Sequence, residues 1–168
     1  LQALRDANVY DETAVFVFSD HGDFTGDYGL VEKTQNTFED CLSRVPFVIK
    51  PPAWLPAKPR VSEVMVELID FPATVEAMTG IEPGHTHFGR SLLPVIAGET
   101  DQHRDAVFCE GGRLHGEKQC MERESTSSMR PQGLYWPRVG LQQSEGPEHT
   151  KATMCRTKDF KYVRHIVA

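Results

Sequence analysis

Ala14-Val15-Phe16-Val17-Phe18-Ser19-Asp20-His21-Gly22 is the stretch on which the reading of this chain turns. Its first five residues are apolar without interruption, and apart from Ala14 they are β-branched or aromatic. A half-exposed strand alternates; this one does not, so it reads as a central strand buried on both faces, as parallel sheets in α/β proteins require. Asn8 and Asp11 suit a turn before it. After it, Asp20 to Gly29 is polar and Gly-rich, too long for a simple connector and so a candidate functional loop.

Working outward, Thr34 to Ser43 reads as a short helix, and Val45 to Lys50 as a second strand stopped by Pro51-Pro52. Residues 51–60, with four prolines, read as a surface loop. Val64, Leu68, Phe71, Val75 and Met78 fall at helical spacing. Pro72 breaks them into two helical pieces, the second capped by Asp70 and ended by Gly80. Ala106 to Glu110 reads as a third strand. Residues 111–150 lose periodicity and read as a long loop or insertion. Ala152–Arg156 and Phe160–Arg164 read as a hairpin joined by Thr157-Lys158-Asp159. Strands separated by helices predict an α/β chain. The sheet is thin, as expected for part of a larger one, and Leu1 to Arg5 reads as the tail of a helix begun earlier.

The 168 residues are enough for one domain with a core. The net charge of −6 is unevenly spread. Residues 1–110 carry 8 Lys/Arg against 18 Asp/Glu, whereas 111–168 carry 10 against 6. A basic final third suits an anionic substrate, or is a set of solvated loop charges. With weak clustering and little aromatic interleaving, the pattern argues against nucleic acid as a partner. No apolar run has the length of a membrane span, and residues 1–20 lack the layout of a secretory signal. Cys41, Cys109, Cys120 and Cys155 form no CxxC pair and no zinc pattern. They read as thiols, with one disulfide in an exported protein as the alternative.

Functional groups in open α/β sheets gather beyond the carboxyl ends of strands, where Asp20 and His21 stand. A carboxylate and an imidazole side by side make half a site for a divalent cation. On their own they read as readily as a turn cap followed by a surface histidine.

The residues that follow change that balance. Ser19-Asp20-His21-Gly22-Asp23, Gly26-Asp27-Tyr28-Gly29-Leu30, Lys33, Phe38-Glu39 and Arg44-Val45-Pro46, in that order, resemble the late metal-binding region of the sulfatase family, within the alkaline-phosphatase-like superfamily. Ile69 to Thr74, Gly89 to Pro94 and Arg156 to Tyr162 are similar to further segments of it. The resemblance implies part of an alkaline-phosphatase-like sandwich with a mainly parallel sheet. Residues 1–110 would belong to the catalytic α/β domain, 111–150 to an insertion, and 151–168 to the start of a small C-terminal β subdomain. It implies Asp20 and His21 as metal ligands and Lys33 as the residue facing the sulfate and assisting the leaving oxygen. The metal would be divalent: calcium, with magnesium or manganese as alternatives. Glu39 and Arg44 read as structural, through an ion pair or backbone contacts around the loop, Asp23 and Asp27 as turn residues, and His85 and His87 as surface histidines. Tyr28 stands where many relatives carry His. Arg113, His115 and Lys118 fall in the unmatched loop, where Arg113 and His115 are candidate substrate contacts.

The family's nucleophile is a Cys or Ser converted to formylglycine within C/S-x-P/A-x-R, and no cysteine here has that setting. The paired aspartates that complete the family's metal site are also missing. The expectation is therefore a sulfuric ester hydrolase whose nucleophile lies in an N-terminal part outside these residues, with this chain inactive alone. A small-molecule or glycan sulfate ester is the implied substrate, and a periplasmic or secreted location is implied, with the cytoplasm as the alternative. The rival readings are a phosphonate monoester or phosphodiester hydrolase of the same superfamily, and a non-catalytic remnant that binds an anionic glycan.

Overall fold

The computed structural model describes residues 1–31, 33–34, 36–112 and 151–166. Along the chain run α1 (Gln2–Asp6), β1 (Val15–Phe18), α2 (Asp40–Ser43), β2 (Phe47–Lys50), α3 (Asp70–Thr79), α4 (Leu93–Ala97), β3 (Val107–Gly111), β4 (Lys151–Arg156) and β5 (Lys161–Ile166). The chain is mixed α/β, as expected.

Its sheets differ from the expectation. β1 pairs with β2 antiparallel, and β3-β4-β5 form a second antiparallel sheet. Among the described residues no parallel pair forms, so the mainly parallel sheet is not what these strands build. An apolar run marks a strand but carries no information on the direction of its neighbour. Burial on both faces is also corrected. Phe16 and Phe18 turn to one side, where Phe71 of α3 meets them with ring centroids at 4.9 and 5.0 Å. Val17 and Val48, opposite one another across the pair, are 59% and 61% exposed. Among the described residues, only one face of the two-stranded sheet is covered.

The helix expected over residues 34–43 shortens to the single turn of α2. Of the two pieces expected between 64 and 78, only the second is helical. Residues 61–67 form no helix, Met65 is bridged to Arg104, and a turn at Leu68-Ile69 leads into α3. Asp70 sits fully buried in the first turn as the first helical residue, with Ile69 rather than Asp70 in the cap position, and its carboxylate reaches back to the Glu67 N–H at 3.0 Å. Pro72 lies in the same turn, where its missing N–H costs no helical bond. Gly80 ends the helix at φ 69°, and the N–H of Ile81 reaches the Glu76 carbonyl at 3.2 Å.

The Asp70 carboxylate also accepts the Arg90 N–H at 2.8 Å, His103 Nε2 at 3.0 Å, and Arg104 Nε at 2.9 Å, with Arg104 Nη2 bonded to its other oxygen. Arg104 continues to Glu67 (3.1 Å) and the Phe88 carbonyl (3.0 Å), and Glu67 takes the N–H of Phe108 in β3 (2.6 Å). Thr74, also fully buried, donates to the Asp70 carbonyl and accepts from the Leu92 N–H, setting the segment before α4 against α3. The C-terminal hairpin forms as expected, with the Thr157 N–H on the Phe160 carbonyl at 2.8 Å. Its inner face supplies Ala152 and Met154 to a cluster with Phe38, flanked by Cys109 and Val163.

Burial alone would raise the Asp70 carboxyl; Arg104, the two backbone N–H groups and His103 outweigh it and hold it at about 2, below the ordinary 3.8. A carboxyl lowered by folding contributes stability that is present above 3.8 and lost as pH falls through about 2. Asp70→Asn is expected to cost about 3 kcal/mol near neutral pH, because buried Arg104 loses one of its two carboxylate partners and keeps only Glu67. The difference in urea midpoint between wild type and variant should shrink as pH is lowered from about 4 towards 2. A difference independent of pH would contradict this account.

Candidate metal and anion site

The loop leaving β1 is held by its own backbone. Ser19 Oγ donates to the His21 carbonyl at 2.5 Å, and the His21 N–H donates to Asp20 Oδ1 at 2.9 Å. That N–H, first among the causes, holds the Asp20 carboxyl below its ordinary value against an opposing effect of desolvation. Asp20 is widely exposed and His21 partly so, their Oδ2 and Nε2 lying 3.7 Å apart.

His21 makes two further contacts. Nδ1 lies 2.7 Å from the Gly22 carbonyl, and Nε2 lies 3.0 Å from Lys33 Nζ. A carbonyl only accepts and an ammonium only donates, so both bonds require the neutral imidazole with its proton on Nδ1. Nε2 therefore carries a lone pair beside Asp20. This is the tautomer a metal-ligating histidine needs, and a backbone carbonyl fixes it. The structure thus brings together all three residues singled out in the sequence: Asp20, His21 and Lys33.

Beneath the pair lies α2. The Gly22 N–H donates to the Leu42 carbonyl at 2.8 Å, and a Cβ on residue 22 would stand 1.8 Å from the Cys41 carbonyl oxygen. Only glycine admits that approach. Farther along the loop, Gly26 and Gly29 take positive φ, as does Tyr28 at 56°, which projects at the tip of the turn, 80% exposed.

Asp20 and His21 supply two donors. Among the described residues no group of three or more His, Cys, Asp or Glu side chains is placed to hold a metal ion. The donor chemistry fits a divalent cation, and the two side chains are fewer than such an ion takes.

Other expected residues fall elsewhere. Glu39 and Arg44 do not pair with each other; they make backbone contacts, the Glu39 carbonyl accepting the Leu42 and Ser43 N–H groups and the Arg44 N–H donating to the Asp40 carbonyl. The acidic side chain that pairs in this segment is its neighbour Asp40, which receives Arg156 at 2.5 Å and Lys161 from the C-terminal sheet. Those two cations hold its carboxyl below the ordinary value, Lys161 first. The sequence reading missed this junction, because nothing local marks partners more than a hundred residues apart. It missed His103 and Arg104 for the same reason. His87, expected at the surface, pairs with Glu76 of α3 at 3.1 Å, both partly buried, and its Nδ1 is buried without a partner. Cys41, Cys109 and Cys155 are free thiols. Arg113, His115, Lys118 and Cys120 lie outside the described residues.

A sulfatase family profile matches residues 1–81, a span that contains Asp20, His21 and Lys33. Through these residues the chain is similar to the sulfatase family. It is 31% identical over 102 residues to an extracellular sulfatase SULF-1 homolog of Drosophila melanogaster, covering 61% of this chain and 9% of that protein. It is 33% identical over 94 residues to the multifunctional alkaline phosphatase superfamily protein PehA of Trinickia caryophylli, covering 56% of this chain and 18% of that one. The chain thus spans less than a fifth of the length of either relative.

Gly22→Ala is expected to lower stability by about 1–3 kcal/mol, since a methyl there must push away the α2 backbone. It should also shift the His21 imidazole resonances, because Gly22 supplies both the link to α2 and the carbonyl on Nδ1. Unchanged stability and unchanged imidazole signals would rule out the close approach.

Proposed function

We propose that the Asp20–His21–Lys33 cluster is the C-terminal half of a sulfuric ester hydrolase site. The observation that carries this reading is the His21 imidazole. Its Nδ1 is bound to a carbonyl, and its Nε2 lone pair faces both a carboxylate and an ammonium.

Asp20 and His21 would hold a divalent cation, calcium in the reading from the family, with magnesium or manganese as alternatives. When bound, such an ion polarises the oxygens of the transferred group and adds positive charge where negative charge develops. Lys33 supplies a fixed ammonium for the same charge and a proton for the departing alcohol oxygen. With an anionic ester present, the ammonium has a stronger acceptor than the imidazole, and Lys33 would exchange one for the other. The nucleophile, a formylglycine in the family, is not among these 168 residues, so turnover needs residues beyond this chain. The larger parallel sheet belongs to the same proposal, and the open Val17–Val48 face is where further layers would add. The relative described as extracellular supports a secreted setting. Among the described residues no helix is long and apolar enough to cross a membrane.

A second reading has its own support. The relative named for the alkaline phosphatase superfamily matches at 33%, alongside 31% for the extracellular sulfatase. Sulfate and phosphate oxygens present the same geometry to a cation and an ammonium, so a phosphodiester or phosphonate monoester is the alternative substrate.

The full-length protein is expected to hydrolyse nitrophenyl sulfate faster than bis-nitrophenyl phosphate, and the reverse order would establish the second reading. Lys33→Ala should reduce kcat on the preferred ester by roughly a hundredfold or more. The isolated 168 residues should turn over neither ester. Activity in the isolated chain would mean that its own residues supply a nucleophile.

A further inference from the structure

The Asp20–His21 pair lies on an exposed rim, where a solvated histidine would ordinarily sample several orientations. What restrains it is a continuous set of contacts that begins on the other sheet. Lys161, at the start of β5, donates to the Phe38 carbonyl at 2.8 Å and to the Asp40 carboxylate, where Arg156 of β4 also bonds. Asp40 and the carbonyl of Phe38 form the entry to α2. The other end of that single turn presents the Leu42 carbonyl to the Gly22 N–H. Gly22 in turn presents its carbonyl to His21 Nδ1.

We infer that Lys161 is a positioning residue for the His21 imidazole, acting through Asp40, α2 and the backbone of Gly22. The inference rests on the metal-site reading for its functional meaning, but the linkage is independent of it. Three features favour the linkage over simple docking of the hairpin. α2 is one turn long, too short to hold its shape from helix propensity. Its N-terminal end takes two cations on one carboxylate, and one of them also bonds a backbone carbonyl. Its other end meets Gly22 so closely that displacement of α2 must move Gly22. The Phe38–Ala152–Met154 cluster provides the apolar attachment of the hairpin and does not require Lys161. Removing the ammonium should therefore leave the hairpin docked while loosening α2 beneath Gly22.

The test uses the labelled full chain and follows the Gly22 amide exchange rate, the His21 ring nitrogens and the Met154 methyl by NMR. Lys161→Met and Asp40→Asn are each expected to speed Gly22 exchange by about tenfold and to shift the His21 nitrogens, with the Met154 methyl unchanged. Lys161→Arg should restore wild-type behaviour. Tyr162→Ala, exposed on the outer face of β5, should have no effect. Gly22 exchange within about twofold of wild type in both variants would overturn the inference. So would loss of the Met154 signal together with Gly22 protection in both, which would reduce the pair to a structural fastening. A separate arm adds Mn2+ to wild type. Absence of broadening at His21 would remove the metal reading while the exchange data still decide the positioning.

Discussion

A single buried carboxylate organises the middle of this molecule. Asp70 is fully enclosed, and a charge so placed persists only when its surroundings replace the water it has lost. Here two backbone N–H groups, one imidazole and one guanidinium do so. They arrive from segments that share no secondary structure: the turn before α3, the chain at residue 90, and residues 103 and 104. Each is held where it is because leaving would strand either the carboxylate or Arg104. α3 begins at Asp70, whose carboxylate also bonds the Glu67 N–H of the preceding turn. Phe71, next in sequence, is thereby aimed at Phe16 and Phe18, which sets α3 against the strand that carries Asp20 and His21.

The site uses the opposite strategy. It is exposed, and its order comes from the main chain rather than from enclosure. Ser19, Asp20 and Gly22 each bind the His21 backbone or ring, so the imidazole has one tautomer and a defined edge. An open rim suits a group that must meet an anionic ester. Lys33 rests on the imidazole at 3.0 Å, close enough to transfer to a stronger acceptor without a large movement of the chain. The cost of such exposure is that nothing local prevents drift. The backing from α2, and behind it the C-terminal sheet, supplies the constraint that burial would supply elsewhere.

Asp20, His21 and Lys33 were legible in the sequence because strand, loop and motif lie within twenty residues of one another, and local spacing governs local geometry. The second helical piece after 64 was legible too, since Asp70, Pro72 and Gly80 each carry a backbone preference that acts at short range. The hairpin of β4 and β5 was legible for the same reason. The first helical piece was not. Residues 61–67 have helical spacing, yet Met65 pairs with Arg104 and Glu67 turns to Arg104 and Phe108. Long-range bonds to buried groups outweigh a weak propensity. The antiparallel pairing of β1 with β2 was equally hidden, because a run of apolar side chains has no direction.

By itself, then, the sequence determined which residues could carry the chemistry and that they follow a strand, since those are matters of residue type and short-range backbone preference. Only the tertiary structure decided that the strand is covered on one face. It alone decided that Asp70 is a hub joining four segments rather than a cap, and that Asp40 rather than Glu39 receives the cations. These depend on residues up to 121 positions apart meeting in space. Such meetings are selected by the joint burial of charge and apolar surface, and no local pattern encodes that.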